Sequence, residues 1–539
     1  MKLVRFLQHQ DIDYLLVNAT NKWLDEMPNV KESAVYTLTN FSGDTGEALL
    51  TKDGKILLFV DGRYHIQAEK ETKGDIEIVK LNAGQKFDDE IVKTMFEGAK
   101  LAVVSSKISL LRYMKLKEKL DKKNIKLLLL KKDPINNYTK RTSKKFKKVK
   151  YNVKKFLLEE NMLITNLEDV SYLTGLRNFK KDGSSKIYAK LFLDKNGKQI
   201  LFTNQKKLEH FIVKLNKRND KIAVDKTISL YDFNLIKNPV IQNENKILTL
   251  RTIKTDDEIF SLQQAFEISN KALLATRQYI ENSRSGALSE YDIYTKLVNE
   301  FYKNGAVGLS FNPIVAINKN SSQAHYSIHA KDVYLKDGDL VLIDCGVYGS
   351  DGLATDTTRV FVKGNPTRLQ IQVYTLVLKA FLNAYSRPDM NGYELNDLAH
   401  EILDKKIGRN GLSAKQANID IDVYKAKHGK EKLNNTARDD DFFVFNHGLG
   451  HGIGISVHEV LPSLSKSEYA KQQILDNMCF TIEPGLYHKD FFGIRLENSF
   501  YRKNKKNISF VKVGFEKKLI DFDLLANNEK ELLTQFGTI

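Results

Sequence analysis

Two acids in one hairpin constrain this chain more than any other feature. From Val341 to Phe361, apolar runs flank a Gly-Ser-Asp-Gly turn, so the stretch reads as a β-hairpin. Asp344 sits on one strand and Asp356 on the other, and folding brings both to one face. Carboxylates held that close repel each other and call for a cation or a shared proton. Asp344 follows Val-Leu-Ile directly, at the margin of a core, where charge is buried only when paired or metal-bound. The alternative is two surface acids at a strand end and a turn.

Three further segments supply matching chemistry. Asn446 to Glu459 carries His447, His451 and His458 among Gly448, Gly450, Gly452 and Gly454. These glycines leave room for close approach of backbone to a ligand. Gly450-His-Gly-Ile-Gly454 lacks the strand and helix context of a phosphate-cradling loop, which excludes that function. Glu483 precedes Pro484 and is biased towards extended backbone. Arg495 and Glu497 are two apart, so a strand points them the same way. Taken singly, each acid also fits a salt bridge or a surface strand end. Together the segments offer four carboxylates and an imidazole. That is too rich in oxygen for one structural zinc. It suits two cations, with Mn²⁺ the best match and Fe²⁺, Co²⁺ or Zn²⁺ alternatives.

The rest of the chain frames this set. Its 539 residues exceed one core and predict about three domains. Residues 1–141 alternate strand-like runs such as Lys55–Val60 with helical stretches such as Leu110–Lys123, an α/β pattern. Residues 142–249 repeat that style, with a hairpin expected around Asp194-Lys-Asn-Gly197. Residues 250–539 open on a long helix from Thr255, with Thr255 and Glu258 forming a capping box, and hold most of the chemistry. A polar, charged stretch over about 408–445 reads as an insertion.

Composition narrows the class of function. Hydrophobic residues at 42% and charged residues at 28% fit a globular protein. No apolar run is long enough to span a bilayer, and the start turns polar too soon for a signal peptide. With only Cys345 and Cys479, no disulfide framework exists, so a reducing cytoplasm is expected. The net charge of +17 is spread along the chain, so nucleic acid is not the expected partner. The run Lys140 to Lys155, with nine basic residues and no acid, reads as a solvated linker or helix face.

The segments Asp344-Cys-Gly, Asp356-Thr-Thr-Arg, His447-Gly-Leu-Gly-His451, Ile482-Glu-Pro-Gly and Arg495-Leu-Glu-Asn resemble, in order, the pita-bread metallopeptidase family. That family includes methionine aminopeptidase, prolidase, Xaa-Pro aminopeptidase and creatinase. Ser321-Ser-Gln-Ala-His325-Tyr and the Val-His458-Glu segment resemble the aminopeptidase P branch. So do Asn40 to Gly46, Phe59 to Tyr64 and Leu173 to Arg177, which extend the likeness to its three-domain form. The resemblance implies a mixed α/β (α+β) chain: two creatinase-N-like α/β domains followed by a pita-bread catalytic domain. It implies Asp344, Asp356, His451, Glu483 and Glu497 as ligands of two divalent metal ions, with Glu483 also handling the proton of the bridging water. It gives His325, His447 and His458 catalytic and substrate-binding roles and lets Arg177 reach the substrate's amino end.

The activity implied is removal of the first residue from peptides with proline second, in a cytoplasmic homodimer. Prolidase, acting only on Xaa-Pro dipeptides, is the nearest alternative. A non-catalytic pita-bread module binding protein or RNA is the other. Creatinase works without the metal set and is set aside. One departure matters: eleven residues separate Asp344 from Asp356, where the family has ten. The extra residue is expected in the turn, with Asp351 as the substitute ligand if it lies elsewhere.

Overall fold

The structure is a computed structural model that describes residues 2–82, 84–135, 145–151, 160–181, 183–404 and 442–539. Most of the expected insertion and of the basic run lies outside these residues. The chain forms two compact units. One comprises Met1–Lys148, Val153–Asn178 and Lys186–Arg251, and the other Val149–Asn152, Phe179–Ser185 and Thr252–Ile539. Among the described residues no helix is long and apolar enough to cross a membrane.

The first unit contains two sheets of related design. The six-stranded sheet runs Ile76–Lys80, Ile56–Val60, Glu47–Thr51, Tyr14–Asn18, Lys100–Val104, Lys126–Leu130. All its strands are parallel except Glu47–Thr51, which is antiparallel to both neighbours. The five-stranded sheet runs Gln199–Phe202, Lys190–Leu193, Met162–Ile164, Ile222–Val224, Pro239–Ile241. There Lys190–Leu193 is the one reversed strand, again beside the first strand of its sheet. The expected hairpin at Asp194–Gly197 joins two of these strands. Gly197 supplies the positive φ of 84°, and Asp194 Oδ1 accepts from the Asn196 and Lys198 amides. Both α/β blocks of the sequence fall within this unit. Leu101 and Leu116 from one block share an apolar core with Leu163 and Ile228 from the other.

Charge is also buried in this unit. Lys186 Nζ lies 2.8 Å from Asp25 and 2.9 Å from Glu168, and all three side chains are largely shielded from water. Such a triad holds together only because each charge has its partners.

The second unit positions the candidate chemistry. Its opening helix, Asp256–Asn282, has the expected cap: Thr255 accepts from the Glu258 amide and Glu258 closes the box. Helix Arg368–Tyr385 is apolar on nearly every side and lies inside the core, packed on Gly392–Leu403 and on the strands. A three-stranded sheet sets Ile314–Ile317 and Thr357–Val362 on either side of Leu340–Cys345. A five-stranded sheet runs Glu459–Leu464, Gly450–Gly452, Cys479–Ile482, Asn498–Lys503, Lys506–Ser509. A short ribbon pairs Gly485–Tyr487 with Gly493–Arg495. The core lies between these strands and the two inner helices.

Candidate metal centre

The acid-bearing hairpin keeps one register along its length. Asp344 pairs with Thr358 and Cys345 with Thr357, and further out Tyr348 bridges Ala354. Asp356 therefore stands diagonally across from Asp344 on the same face, within reach but not directly opposite. The constant register leaves no bulge in the paired part, so any extra residue falls in the turn between Tyr348 and Ala354. Asp351, in that turn, accepts from the Lys150 amide and the Ser261 hydroxyl, outside the acid cluster.

The other acids arrive from strand ends. Glu483 follows Cys479–Ile482 directly, and its amide donates to the Leu449 carbonyl. Glu497 lies in the gap between Gly493–Arg495 and Asn498–Lys503, so Arg495 and Glu497 do not share one continuous strand. They still converge, because Thr358 Oγ1 accepts from Arg495 Nε and donates to Glu497 Oε2 at 2.7 Å. His451 occupies the middle of Gly450–Gly452, with its amide on Thr481 Oγ1 and its Nδ1 on the Gly452 carbonyl.

The glycines here serve a different purpose from the one expected. A Cβ at Gly450 would lie 2.2 Å from the Thr481 carbonyl oxygen, and one at Gly452 would lie 2.1 Å from that of Leu461. The space they leave is filled by neighbouring strands rather than kept open for a ligand.

The side chains meet in a small buried volume. Asp356, His451 and Glu497 each present an atom within 4.8 Å of the others. His451 Nε2 is 3.3 Å from Glu483 Oε1 and 3.6 Å from Asp356 Oδ2. Asp344 completes the ring of acids, and its repulsion contributes to the raised proton affinity of both Asp356 and Glu497. Burial is the larger cause, and together they hold both groups well above the usual carboxylate range. Burial, helped by His458, pulls His451 down to about 3. Its imidazole is neutral and offers a lone pair.

Arg359 ties the cluster to the chain's later segments. Fully buried, it donates to the carbonyls of Thr358, Glu497, Val513 and Gly514 and to Asn498 Oδ1. The Cys345 thiol is pushed well above its ordinary value by burial and then by Asp344 and Asp356, so it stays protonated.

The donor set fits divalent cations. Among the described residues no hydrogen-bond donor meets the buried Asp344 Oδ1 or Glu497 Oε1, while the second oxygen of each is held by Arg495 or Thr358. A buried carboxylate oxygen without a partner is costly unless something positive faces it.

The three catalytic candidates among the histidines lie in different settings. His458 packs its ring edge-on to His451, with centroids 4.4 Å apart. His447 Nδ1 faces the Gly448 carbonyl, which fixes the proton there, so Nε2 accepts from Tyr487 OH at 2.8 Å. Tyr487 in turn accepts from Arg495 Nη1 at 2.7 Å, completing a path from His447 to Asp344. His325 is half-buried beyond the turn Asn318–Ser322. Arg177 belongs to the first unit, where its Nη1 donates to the Ser171 and Leu176 carbonyls. Sequence reasoning missed Tyr487 and Thr358. Each is an ordinary strand residue whose partner is distant in the chain, so local pattern carries no sign of it.

The chain is similar to known proteins along nearly its whole length. A model of metallopeptidase family M24 matches residues 261–503, and one of the creatinase/prolidase N-terminal domain matches residues 1–129. Xaa-Pro aminopeptidase 1 of Dictyostelium discoideum is 26% identical over 610 residues, spanning 99% of this chain and 91% of that protein. An uncharacterized peptidase of Methanocaldococcus jannaschii is 31% identical over 298 residues, spanning 55% of this chain and 71% of that protein. The crystal structure of X-prolyl aminopeptidase from Caenorhabditis elegans, described as a cytosolic enzyme with a di-nuclear active site, superposes with a TM-score of 0.78. The two are 18% identical, and the match covers 97% of this chain and 90% of that one.

Proposed function

This chain belongs to metallopeptidase family M24, and from that premise we propose that it removes the N-terminal residue from peptides with proline in second position. The observation behind this is the pair of donor-less buried oxygens, Asp344 Oδ1 and Glu497 Oε1, set among Asp356, His451 and Glu483. The likeness to an Xaa-Pro aminopeptidase along 99% of the chain supports the substrate class.

Asp344, Asp356, His451, Glu483 and Glu497 would hold two divalent cations, which supply a nucleophilic hydroxide at neutral pH and polarise the scissile carbonyl. Mn²⁺ best matches so carboxylate-rich a set. Arg495 and Thr358 each occupy one oxygen of a ligand carboxylate and so aim the other inwards. Glu483 takes the proton of the attacking water and passes it to the leaving proline nitrogen. His458, beside His451, and His325 orient the peptide and donate to the oxygen that gains charge. Tyr487 and Arg495 hold His447 in the tautomer that keeps its Nδ1 proton on Gly448. The two buried free cysteines fit a cytoplasmic setting, and the family resemblance favours a homodimer.

Xaa-Pro peptides of increasing length, from the dipeptide upwards, assayed with and without Mn²⁺, test the proposal. Metal-dependent cleavage of tripeptides and longer is expected. Turnover confined to dipeptides identifies a prolidase, and no turnover with any metal removes the peptidase assignment. Glu483→Gln tests the proton carrier: unchanged turnover with metal bound refutes its role.

A further inference from the structure

One buried carboxylate closes the loop that carries His325. Glu290 is the first residue of helix Glu290–Lys303, behind the N-cap Ser289, and its side chain is 0% exposed. It does not turn back on its own helix. Oε1 accepts from the Ile317 amide at 2.7 Å and from Asn320 Nδ2 at 2.9 Å. Oε2 accepts from Tyr326 OH at 2.6 Å and from the Ala330 amide at 3.0 Å. Ile317 begins the excursion that contains His325 and Ala330 ends it, so a single side chain ties the two ends together.

The other side of the loop is anchored to the candidate metal centre. Ser321 Oγ donates to the Gly493 carbonyl and accepts from its amide, and Gly493 begins the strand that ends at Arg495. Strand Ile314–Ile317, which leads into the loop, pairs Ile314 with Asp344. His325 is thus held between a fixed strand on one side and the Glu290 clasp on the other, with Tyr326 as the adjoining contact. The buried charge of Glu290 is met by four neutral donors and by the favourable end of its helix. Two of these bonds hold backbone amides directly and two hold side chains of the loop, and each bond to a carboxylate is stronger than a neutral turn hydrogen bond.

We infer that Glu290 is a positioning residue for His325, fixing its imidazole over the scissile bond through Tyr326, Asn320 and the two loop ends. This task rests on the peptidase activity proposed above. Glu290→Gln keeps the shape but presents an amide N–H₂ to two groups that already donate. Tyr326→Phe removes one donor and leaves the others in place.

The test combines kinetics on an Xaa-Pro-Xaa tripeptide with hydrogen exchange on the full-length, metal-loaded chain. Glu290→Gln is expected to lower kcat by at least about tenfold, the scale of one buried hydrogen bond to a charged group, with metal content unchanged. Tyr326→Phe is expected to act in the same direction and more weakly. In a His325→Ala background the Glu290→Gln effect should disappear, because both changes then remove one function. A Glu290→Gln loss that persists in full in that background overturns the inference, since it marks a general structural defect.

Amide exchange provides an arm that needs no activity. Residues 318–330 should exchange at least about tenfold faster in Glu290→Gln, with helix Arg368–Tyr385 unchanged. Unaltered protection of 318–330 overturns the inference even if the chain proves inactive on every Xaa-Pro peptide. Inactivity with the expected loosening would instead count against the activity and leave the clasp standing.

Discussion

Arg495 Nη2 lies 2.5 Å from Asp344 Oδ2, while the other oxygen of the same carboxylate, Oδ1, is buried with no donor among the described residues. One residue thus divides an aspartate into a fixed half and an available half. Burial would lower the proton affinity of Arg495, yet its surroundings, Tyr487 first and then Asp344 and Glu483, raise it well above the ordinary value. It remains charged at every pH the protein meets. Replacing it with Lys keeps the charge but loses the planar fork that also holds Tyr487 and Thr358. Arg495→Lys should weaken metal binding by about 10–100-fold, the usual cost of losing a partner behind a ligand. Metal titration followed by calorimetry measures this, and unchanged affinity refutes the assignment.

Gly450 admits no side chain without moving backbone. Its Cβ would meet the Thr481 carbonyl oxygen at 2.2 Å. Gly450→Ala should destabilise the second unit by about 1–3 kcal/mol through overpacking. Because His451 is the next residue, metal retention should fall with it. Thermal unfolding and metal analysis of the same sample test both effects, and a melting point within error of the parent contradicts the packing account.

Lys186 neutralises Asp25 and Glu168 in the first unit. Lys186→Met removes the cation between two buried carboxylates and should cost about 3–5 kcal/mol. The pH dependence has a definite sign. Burial opposes ionisation of Glu168, but Lys186 and Arg251 overcome it and lower its pKa from 4.5 to about 2. A depressed acid stabilises the fold above its unfolded pKa. That stability is complete above pH 4.5 and is lost as pH falls towards 2. The parent should therefore lose stability more steeply than Lys186→Met across that window. Urea midpoints at several pH values provide the measurement, and parallel curves would exclude the linkage.

Removing the metal should abolish activity reversibly. Chelation followed by added Mn²⁺ should restore turnover. It should also raise the unfolding free energy by about 2.7 kcal/mol at a metal concentration one hundred times Kd. Activity that survives exhaustive chelation would exclude metal chemistry at the cluster.

Local pattern made part of this architecture legible. Period-two alternation and a turn placed Asp344 and Asp356 on one hairpin face, and the register from Asp344↔Thr358 to Tyr348↔Ala354 follows that geometry. The capping box at Thr255 marked the start of the long helix because the cap is made within one turn. Contacts between distant segments left no such trace. Tyr487 meets His447 and Thr358 meets Glu497 only because separate strands converge. The same gap explains the misjudged glycines. Their number announced close approach, but the approaching groups, Thr481 and Leu461, belong to neighbouring strands that sequence spacing does not identify. Glu290 was equally silent, an ordinary acid at a helix start whose partners begin at Ile317.

Arg359 has a bearing on how the protein is made. Its guanidinium spans Thr358, Glu497 and the carbonyls of Val513 and Gly514. On the ribosome, the strand that begins just after Asp356 is synthesised long before those last two acceptors emerge from the exit tunnel. Until they do, a cation made for burial has too few partners to be buried. The cluster's buried support is thus completed only when the last segments of the chain, through Gly514, have been made.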